Sequence, residues 1–306
     1  MSHGRILVVD DEMSFLDVYK EELGRQGYLV ETATDRKTAL SKLEQPGWDV
    51  VLLDQKLQGS AGSDSGLDLI PEIVIRAPRA RIILVTGYAT AQAVKLAFEA
   101  GAYDYLQKDQ LFDALLVPKL RAAVEAARAL RLAGMTTDET EAEIRQTWAA
   151  AQSEADANRK GKLLEDLMVL ILTTIRGFQQ ASPRRKNKLE EIDILVRNES
   201  NDPLWTKEGP CLLVECKNWS TPVGAPELRD FFYKLEHRYG RCRLGLFVAP
   251  GGFADTLKTE LLTRRKDNPL VVLLGPDALR DLVESPDRNE FLKKRYTDAL
   301  VEQNGH

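Results

Sequence analysis

The sequence predicts an α/β protein: a doubly wound parallel sheet in the first half, a helical connector, and a second α/β domain. Three observations carry this reading. Uninterrupted apolar runs at 6–9, 50–53 and 82–85 alternate with amphipathic segments of helical length, the pattern of buried parallel strands and crossover helices. Over residues 111–157 the composition shifts to Ala, Arg, Glu and Leu, with leucines in a loose helical stripe. A second alternation of helices and strand-like runs follows, and 306 residues suit two domains of about 150 each. The expected boundaries are 1–125, 126–157 for the connector, and 158–306.

Composition narrows the class. A hydrophobic content of 43% with 29% charged residues is that of an ordinary globular chain. No uncharged apolar run reaches the roughly 18 residues that span a bilayer, so no membrane partner is expected. Met-Ser-His-Gly-Arg leads straight into a strand-like run, so no signal peptide is read and a cytoplasmic location follows. The net charge of −5 divides unevenly, with −8 on residues 1–158 and +3 on 159–306, so only the second half suits a polyanion. Cys211, Cys216 and Cys242 are too irregularly spaced for a disulfide framework or zinc site and read as reduced core residues.

In a doubly wound sheet, functional groups gather beyond the carboxyl ends of the strands, where this chain has Asp10, Asp11, Asp54, Thr86 and Lys108. Three carboxylates, a hydroxyl and an ammonium permit phosphoryl transfer to Asp54. Asp10 and Asp11 would hold Mg²⁺, and Lys108 and Thr86 would contact the phosphoryl oxygens. Leu-Val-Val-Asp-Asp-Glu at 7–12, Val-Val-Leu-Leu-Asp at 50–54, Val-Thr-Gly at 85–87 and Gly-Ala-Tyr-Asp-Tyr-Leu-Gln-Lys at 101–108 stand in order. Together they resemble the receiver domain of two-component response regulators, over roughly residues 4–125. The resemblance implies Asp54 as phosphoacceptor and as a third metal ligand with Asp10 and Asp11. It also implies Tyr105 as a switch acting with Thr86 and Lys108, and a sensor histidine kinase or other phosphodonor as partner. Two departures stand out: the loop from Asp54 to Gly66 is polar and longer than usual, and Asp109 replaces the usual proline after the lysine.

The connector reads as two helices with a break at 134–138, where Thr137 or Asp138 would cap the second, which runs through Ile144 and Trp148. Helices placed after a receiver suggest packing on a second subunit, hence a homodimer.

The second domain begins with an apolar helix over 163–175, carrying Glu165 near its start. A strand starts at 178, turns through the basic stretch Ser-Pro-Arg-Arg-Lys-Asn-Lys at 182–188, and returns with Asp193. After a polar loop, Leu-Leu-Val-Glu-Cys-Lys-Asn-Trp at 212–219 reads as a strand whose period of two puts Glu215 and Lys217 on one face. If the Asp193 strand lies alongside, two carboxylates about 4 Å apart repel by roughly 1–4 kcal/mol, and a divalent cation would reverse the sign. A helix follows Pro226, with strands at 244–248 and 270–274 and helices at 276–283 and 288–301.

This order, with Gly161 and Glu165 on the first helix, resembles the PD-(D/E)xK restriction-endonuclease-like nucleases, Mrr-like members above all, over about 158–275. Ile192 stands where a proline often precedes the first aspartate. The resemblance implies Asp193 and Glu215 as ligands of Mg²⁺ or Mn²⁺, the Cys216 carbonyl as a further ligand, Glu165 in support, and Lys217 orienting or deprotonating the attacking water. Arg184, Arg185, Lys186 and Lys188 could contact phosphates. The expectation is a phosphorylation-regulated response regulator whose output is a metal-dependent endonuclease acting on DNA. The alternative is a catalytically inactive nuclease-like module that binds nucleic acid or a protein under receiver control.

Overall fold

A computed structural model describes residues 4–59, 62–87, 89–182, 186–187, 190–238, 240–263 and 269–303. The chain divides into two compact units, Met1–Met135 and Thr136–His306, so the division falls inside the stretch read as a connector.

In the first unit the chain runs β1 (Arg5–Val9), α1 (Met13–Arg25), β2 (Leu29–Ala33), α2 (Arg36–Leu43) and β3 (Val50–Asp54). It continues through β4 (Lys56–Gly59), β5 (Gly62–Ser65), α3 (Gly66–Arg76), β6 (Arg81–Thr86), α4 (Ala91–Ala100), β7 (Asp104–Gln107) and α5 (Phe112–Ala133). The central sheet is parallel with order β2-β1-β3-β6-β7. Alternate residues of β1 and β3 feed opposite faces: Leu7, Val9, Val51 and Leu53 join one core cluster, and Ile6, Val8, Val50 and Leu52 the other. Both faces are therefore buried, as continuous apolar strands require.

The long polar loop after Asp54 is in fact an antiparallel hairpin, β4 on β5, with Lys56 opposite Ser65 and Leu57 opposite Asp64. Polar residues hid it, because a two-stranded ribbon outside the main sheet needs no apolar face. Leu57 is buried in the core and anchors the start of the hairpin to it. Gly66 ends the hairpin where a Cβ would lie 2.0 Å from the Asp54 carbonyl oxygen, so only glycine allows this approach.

The second unit begins with α6 (Thr137–Ser153) and α7 (Ala157–Thr173), then β8 (Phe178–Ser182), β9 (Lys186–Asn187), β10 (Glu190–Glu191) and β11 (Ile194–Asn198). It ends with β12 (Cys211–Cys216), α8 (Ala225–Glu236), β13 (Cys242–Val248), α9 (Asp255–Leu262), β14 (Leu270–Leu274), α10 (Pro276–Glu284) and α11 (Arg288–Gln303). The sheet is mixed, in order β14-β13-β12-β11-β8. The strands β8, β11 and β12 pair antiparallel, whereas β12, β13 and β14 run parallel. A small β9–β10 ribbon lies between β8 and β11 in sequence.

The second connector helix starts one residue earlier than expected. Thr136, not Thr137 or Asp138, caps α6 in a reciprocal box with Glu139. That helix packs on α7, and the buried Arg288 of α11 forms a two-pronged ion pair with Glu141, one prong at 2.9 Å. The same guanidinium donates to the Leu282 and Val283 carbonyls, so α6 is tied to the end of α10.

One cysteine expectation is corrected. Cys211 and Cys242 form a disulfide, with Cα atoms 5.1 Å apart, whereas Cys216 is not part of a disulfide. The two are register partners on adjacent parallel strands, a proximity that their spacing in sequence does not reveal. Among the described residues no helix is long and apolar enough to cross a membrane.

Candidate functional site

Two polar sites form, one in each unit. In the first, Asp10 follows β1, Asp54 ends β3, Thr86 ends β6 and Lys108 follows β7. Parallel pairing aligns these strand ends along one edge of the sheet, so all four line one cleft with Asp11, Glu12, Phe15 and Gly87. Asp10, Asp54 and Thr86 are buried. The Lys108 ammonium bridges the two carboxylates, 2.9 Å from Asp10 and 2.8 Å from Asp54, and stands 4.2 Å above the Phe15 ring. The backbone N–H of Lys56 donates to the other Asp54 oxygen at 2.6 Å.

Burial pushes the Asp54 carboxyl above the usual carboxylate range, with Lys108 opposing that rise. Burial pulls the Lys108 ammonium down, but Asp54 and Asp10 outweigh it and leave it raised. The carboxyl oxygens are hard donors suited to Mg²⁺, and Asp10, Asp11 and Asp54 share one cleft, so the residues fit that ion. In this conformation Lys108 stands between two of them. Among the described residues no three acidic, His or Cys side chains close into a metal-holding group, at this site or the other. Tyr105 lies edge-on to Phe98, with the Lys119 ammonium 5.6 Å from its ring.

In the second unit, Asp193 immediately precedes β11 and Glu215 lies near the end of β12. Register pairing of Ile194 with Val214 makes Asp193 and Glu215 neighbours across the two strands. The Asp193 carboxylate accepts the Cys216 N–H at 2.8 Å, which ties the end of β11 to β12. Glu215 is 3% exposed. Lys217, on the same face as expected, places its ammonium 2.8 Å from Glu215 Oε1. Burial raises the Asp193 pKa and the Glu215 charge adds to the rise. Lys217 is pulled down by burial, but Glu215 and Asp193 hold it above its ordinary value. Two adjacent carboxylates supply hard oxygen ligands, so these residues fit Mg²⁺ or Mn²⁺.

Glu165 is buried on α7, close to Lys162. Asn218 donates to the Lys160 carbonyl at 2.7 Å, which docks the first turns of α7 beside the end of β12. Of the basic turn, Arg184, Arg185 and Lys188 lie outside the described residues. The backbone of Lys186 is placed in β9, and its side chain lies outside the description.

Sequence reasoning missed two contributors. Lys234 of α8 puts its ammonium 2.7 Å from Glu215 Oε2, and Phe15 carries the Lys108 ammonium on its face. Lys234 leaves a faint trace in sequence, a lysine between the core residues Phe231 and Leu235.

A doubly wound unit with an acid-lysine cleft, followed by a mixed-sheet unit with an Asp, Glu and Lys site, defines a two-domain class. Residues 6–117 match the response regulator receiver domain, and residues 157–283 match the restriction endonuclease family of Mrr type. The chain therefore carries a receiver domain of the response regulator family fused to a restriction-endonuclease-like domain. Among named relatives, the alginate biosynthesis transcriptional regulatory protein AlgB of Pseudomonas putida is 33% identical over 238 residues, 74% of this chain and 47% of that protein. The response regulator PilR of Pseudomonas aeruginosa is 31% identical over 163 residues, 53% of this chain and 34% of that protein. The chain thus spans about half the length, or less, of these curated relatives. A CheY-like receiver domain from Methanospirillum hungatei is 31% identical and covers 41% of this chain and 98% of its own, with a TM-score of 0.37.

Proposed function

We propose that the protein is a phosphorylation-regulated nuclease: residues 1–125 accept the signal, 126–157 carry it, and 158–306 hydrolyse DNA phosphodiesters. The single observation that carries this reading is the cluster of Asp193, Glu215 and Lys217 at the ends of two paired strands, inside the stretch that matches restriction endonucleases.

At the first site a carboxylate oxygen of Asp54 attacks phosphorus, and the phosphoryl group passes from a kinase histidine or small donor to Asp54 as the donor group leaves. Lys108 moves from pairing with Asp54 to pairing with the new phosphoryl oxygens, with Thr86 donating from the next strand. The group adds about −1.5 to −2 charge, which draws Thr86 inward and lets Tyr105 follow. Asp10, Asp11 and Asp54 would hold Mg²⁺. At the second site Asp193, Glu215 and the Cys216 carbonyl would hold Mg²⁺ or Mn²⁺, with Glu165 in support from α7. Lys217, held as an ammonium by Glu215 and Asp193, orients the attacking water by donating a hydrogen bond. When bound, a divalent cation supplies charge neutralisation at the transferred phosphoryl group and polarises the scissile phosphate. The reading extends to a homodimer, in which two subunits cut two strands, and to a cytoplasmic protein.

The test is incubation with plasmid DNA and Mg²⁺ or Mn²⁺. Wild type nicks or linearises the plasmid, and Asp193→Ala and Lys217→Ala do not; equal behaviour of all three rules out catalysis at this site. A second reading, a module that grips nucleic acid or protein without cutting, draws on a specific feature. Both oxygens of Glu215 are already engaged by lysines. Calorimetric titration with Mn²⁺ separates the two, since a pure binding module takes up no ion at Asp193 and Glu215.

A further inference from the structure

Lys234 of α8 touches the residue at the centre of the second site. Its ammonium lies 2.7 Å from Glu215 Oε2 while that of Lys217 lies 2.8 Å from Oε1, so two cations bracket one carboxylate. The Lys234 side chain is 15% exposed and the Glu215 side chain 4%, which keeps water from competing for this contact. With Asp193 alongside, two carboxylates and two ammonium groups already meet at the paired strand ends before any metal enters.

A divalent cation sharing Glu215 and Asp193 would need a Glu215 oxygen that is now occupied by an ammonium. Lys217 is anchored through its main chain at the strand end, where its N–H donates to the Val248 carbonyl, and its ammonium stands 5.9 Å from the Trp219 ring. Lys234 comes from a separate element, at the end of an unbranched side chain on α8. It can leave Glu215 by rotating its own side-chain bonds, with no change in strand pairing.

We propose that Lys234 is a positioning residue that stands in for the metal ion on Glu215, and that a divalent cation enters the second site only as Lys234 leaves that carboxylate. Lys234 therefore sets the metal concentration at which the site becomes loaded. This inference rests on the metal-dependent reading above. It adds a barrier to loading that belongs to this chain's own α8 rather than to the paired strands.

The experiment is calorimetric titration of Mn²⁺ into the full-length chain as wild type, Lys234→Met, Lys234→Arg and Asp193→Ala, each first shown by circular dichroism to melt cooperatively. The heat remaining in Asp193→Ala belongs to the receiver site and is subtracted. Lys234→Met should bind Mn²⁺ about tenfold more tightly or better, the scale on which groups behind metal ligands act, and Lys234→Arg should stay near wild type. Equal or weaker binding in Lys234→Met overturns the inference while leaving the metal site intact. No binding in either wild type or Lys234→Met overturns the metal reading itself, and the inference with it. A second measurement avoids substitution: in wild type, acylation of Lys234 by a lysine-selective reagent, read by mass spectrometry, should rise severalfold on adding Mn²⁺. Unchanged reactivity of Lys234 at a saturating Mn²⁺ concentration overturns the inference as well.

Discussion

Glu215 is the residue on which the second site balances, because two ammonium groups depend on it for their countercharge. Replacing it by alanine leaves Lys217 and Lys234 partly buried and facing each other. Removing one partner of a buried ion pair typically costs about 3–5 kcal/mol. Glu215→Ala should therefore lower unfolding stability by about 3 kcal/mol or more in urea titrations; a loss below about 1 kcal/mol would place both lysines effectively in water. Asp193, Glu215 and Lys217 were legible in the sequence for one reason: charged residues interrupt runs that must otherwise be buried strand. Lys234 was not, since a lysine on an amphipathic helix is ordinarily a solvated one. Phe15 was likewise unremarkable until Lys108 was found above its ring.

At the scale of elements, α8 seats closely on β13 at Gly245. A Cβ on Gly245 would lie 2.6 Å from the Phe231 ring and 2.8 Å from Leu235, so glycine lets the helix seat closely on the strand. Gly245→Ala should overpack this contact and lower stability by about 1–3 kcal/mol, measured by thermal unfolding. It should also weaken the Lys234 contact, since Phe231 and Lys234 lie on successive turns. The loop between β11 and β12 is held differently: Asp202 accepts from the Leu204 N–H and pairs with Lys293 at 3.0 Å, while Trp205 donates to Asn289.

The N–H of Leu204, then Lys293, depress the Asp202 pKa to about 2 from 3.8. The folded form thus holds its proton less tightly than the unfolded one. The contribution is complete above the unfolded value of 3.8 and is lost as pH falls through that value to about 2. The stability gap between wild type and Asp202→Asn should be constant from neutral pH down to the ordinary aspartate value and then close; a gap that persists in acid would reject the assignment. None of this was visible in the sequence, where 198–210 reads only as a polar loop. The helices and strands flanking it were visible, because their apolar periodicity is local.

For the whole molecule the division at Met135 and Thr136 makes a prediction about independence. A cut there keeps α5 with the receiver and leaves α6 packed on α7 and bound through Glu141 to Arg288. Fragments 1–135 and 136–306 should each melt cooperatively on their own, whereas a cut after 157 should strand α6 and lower the melting temperature of the second fragment. Control across the whole chain is a separate matter. Moving an equilibrium from 1:99 to 99:1 takes about 5.5 kcal/mol of differential stabilisation, a large demand on one phosphoryl group. Sedimentation with and without a beryllofluoride mimic should show a shift toward dimer that disappears in Asp54→Ala; an unchanged monomer in both would remove the dimer from the proposal.

The sequence by itself determined the two-part α/β architecture and singled out side chains that the fold brings together, Asp10, Asp54 and Lys108 in one unit and Asp193, Glu215 and Lys217 in the other. Strand burial forces apolar runs, and any charge at their ends is conspicuous. Only the tertiary structure decided the β4–β5 hairpin, the Cys211–Cys242 bond and the entry of Lys234. Each depends on which residues become neighbours across separate strands or helices. That is fixed by register and by close packing at Gly245, and no spacing along the chain encodes it.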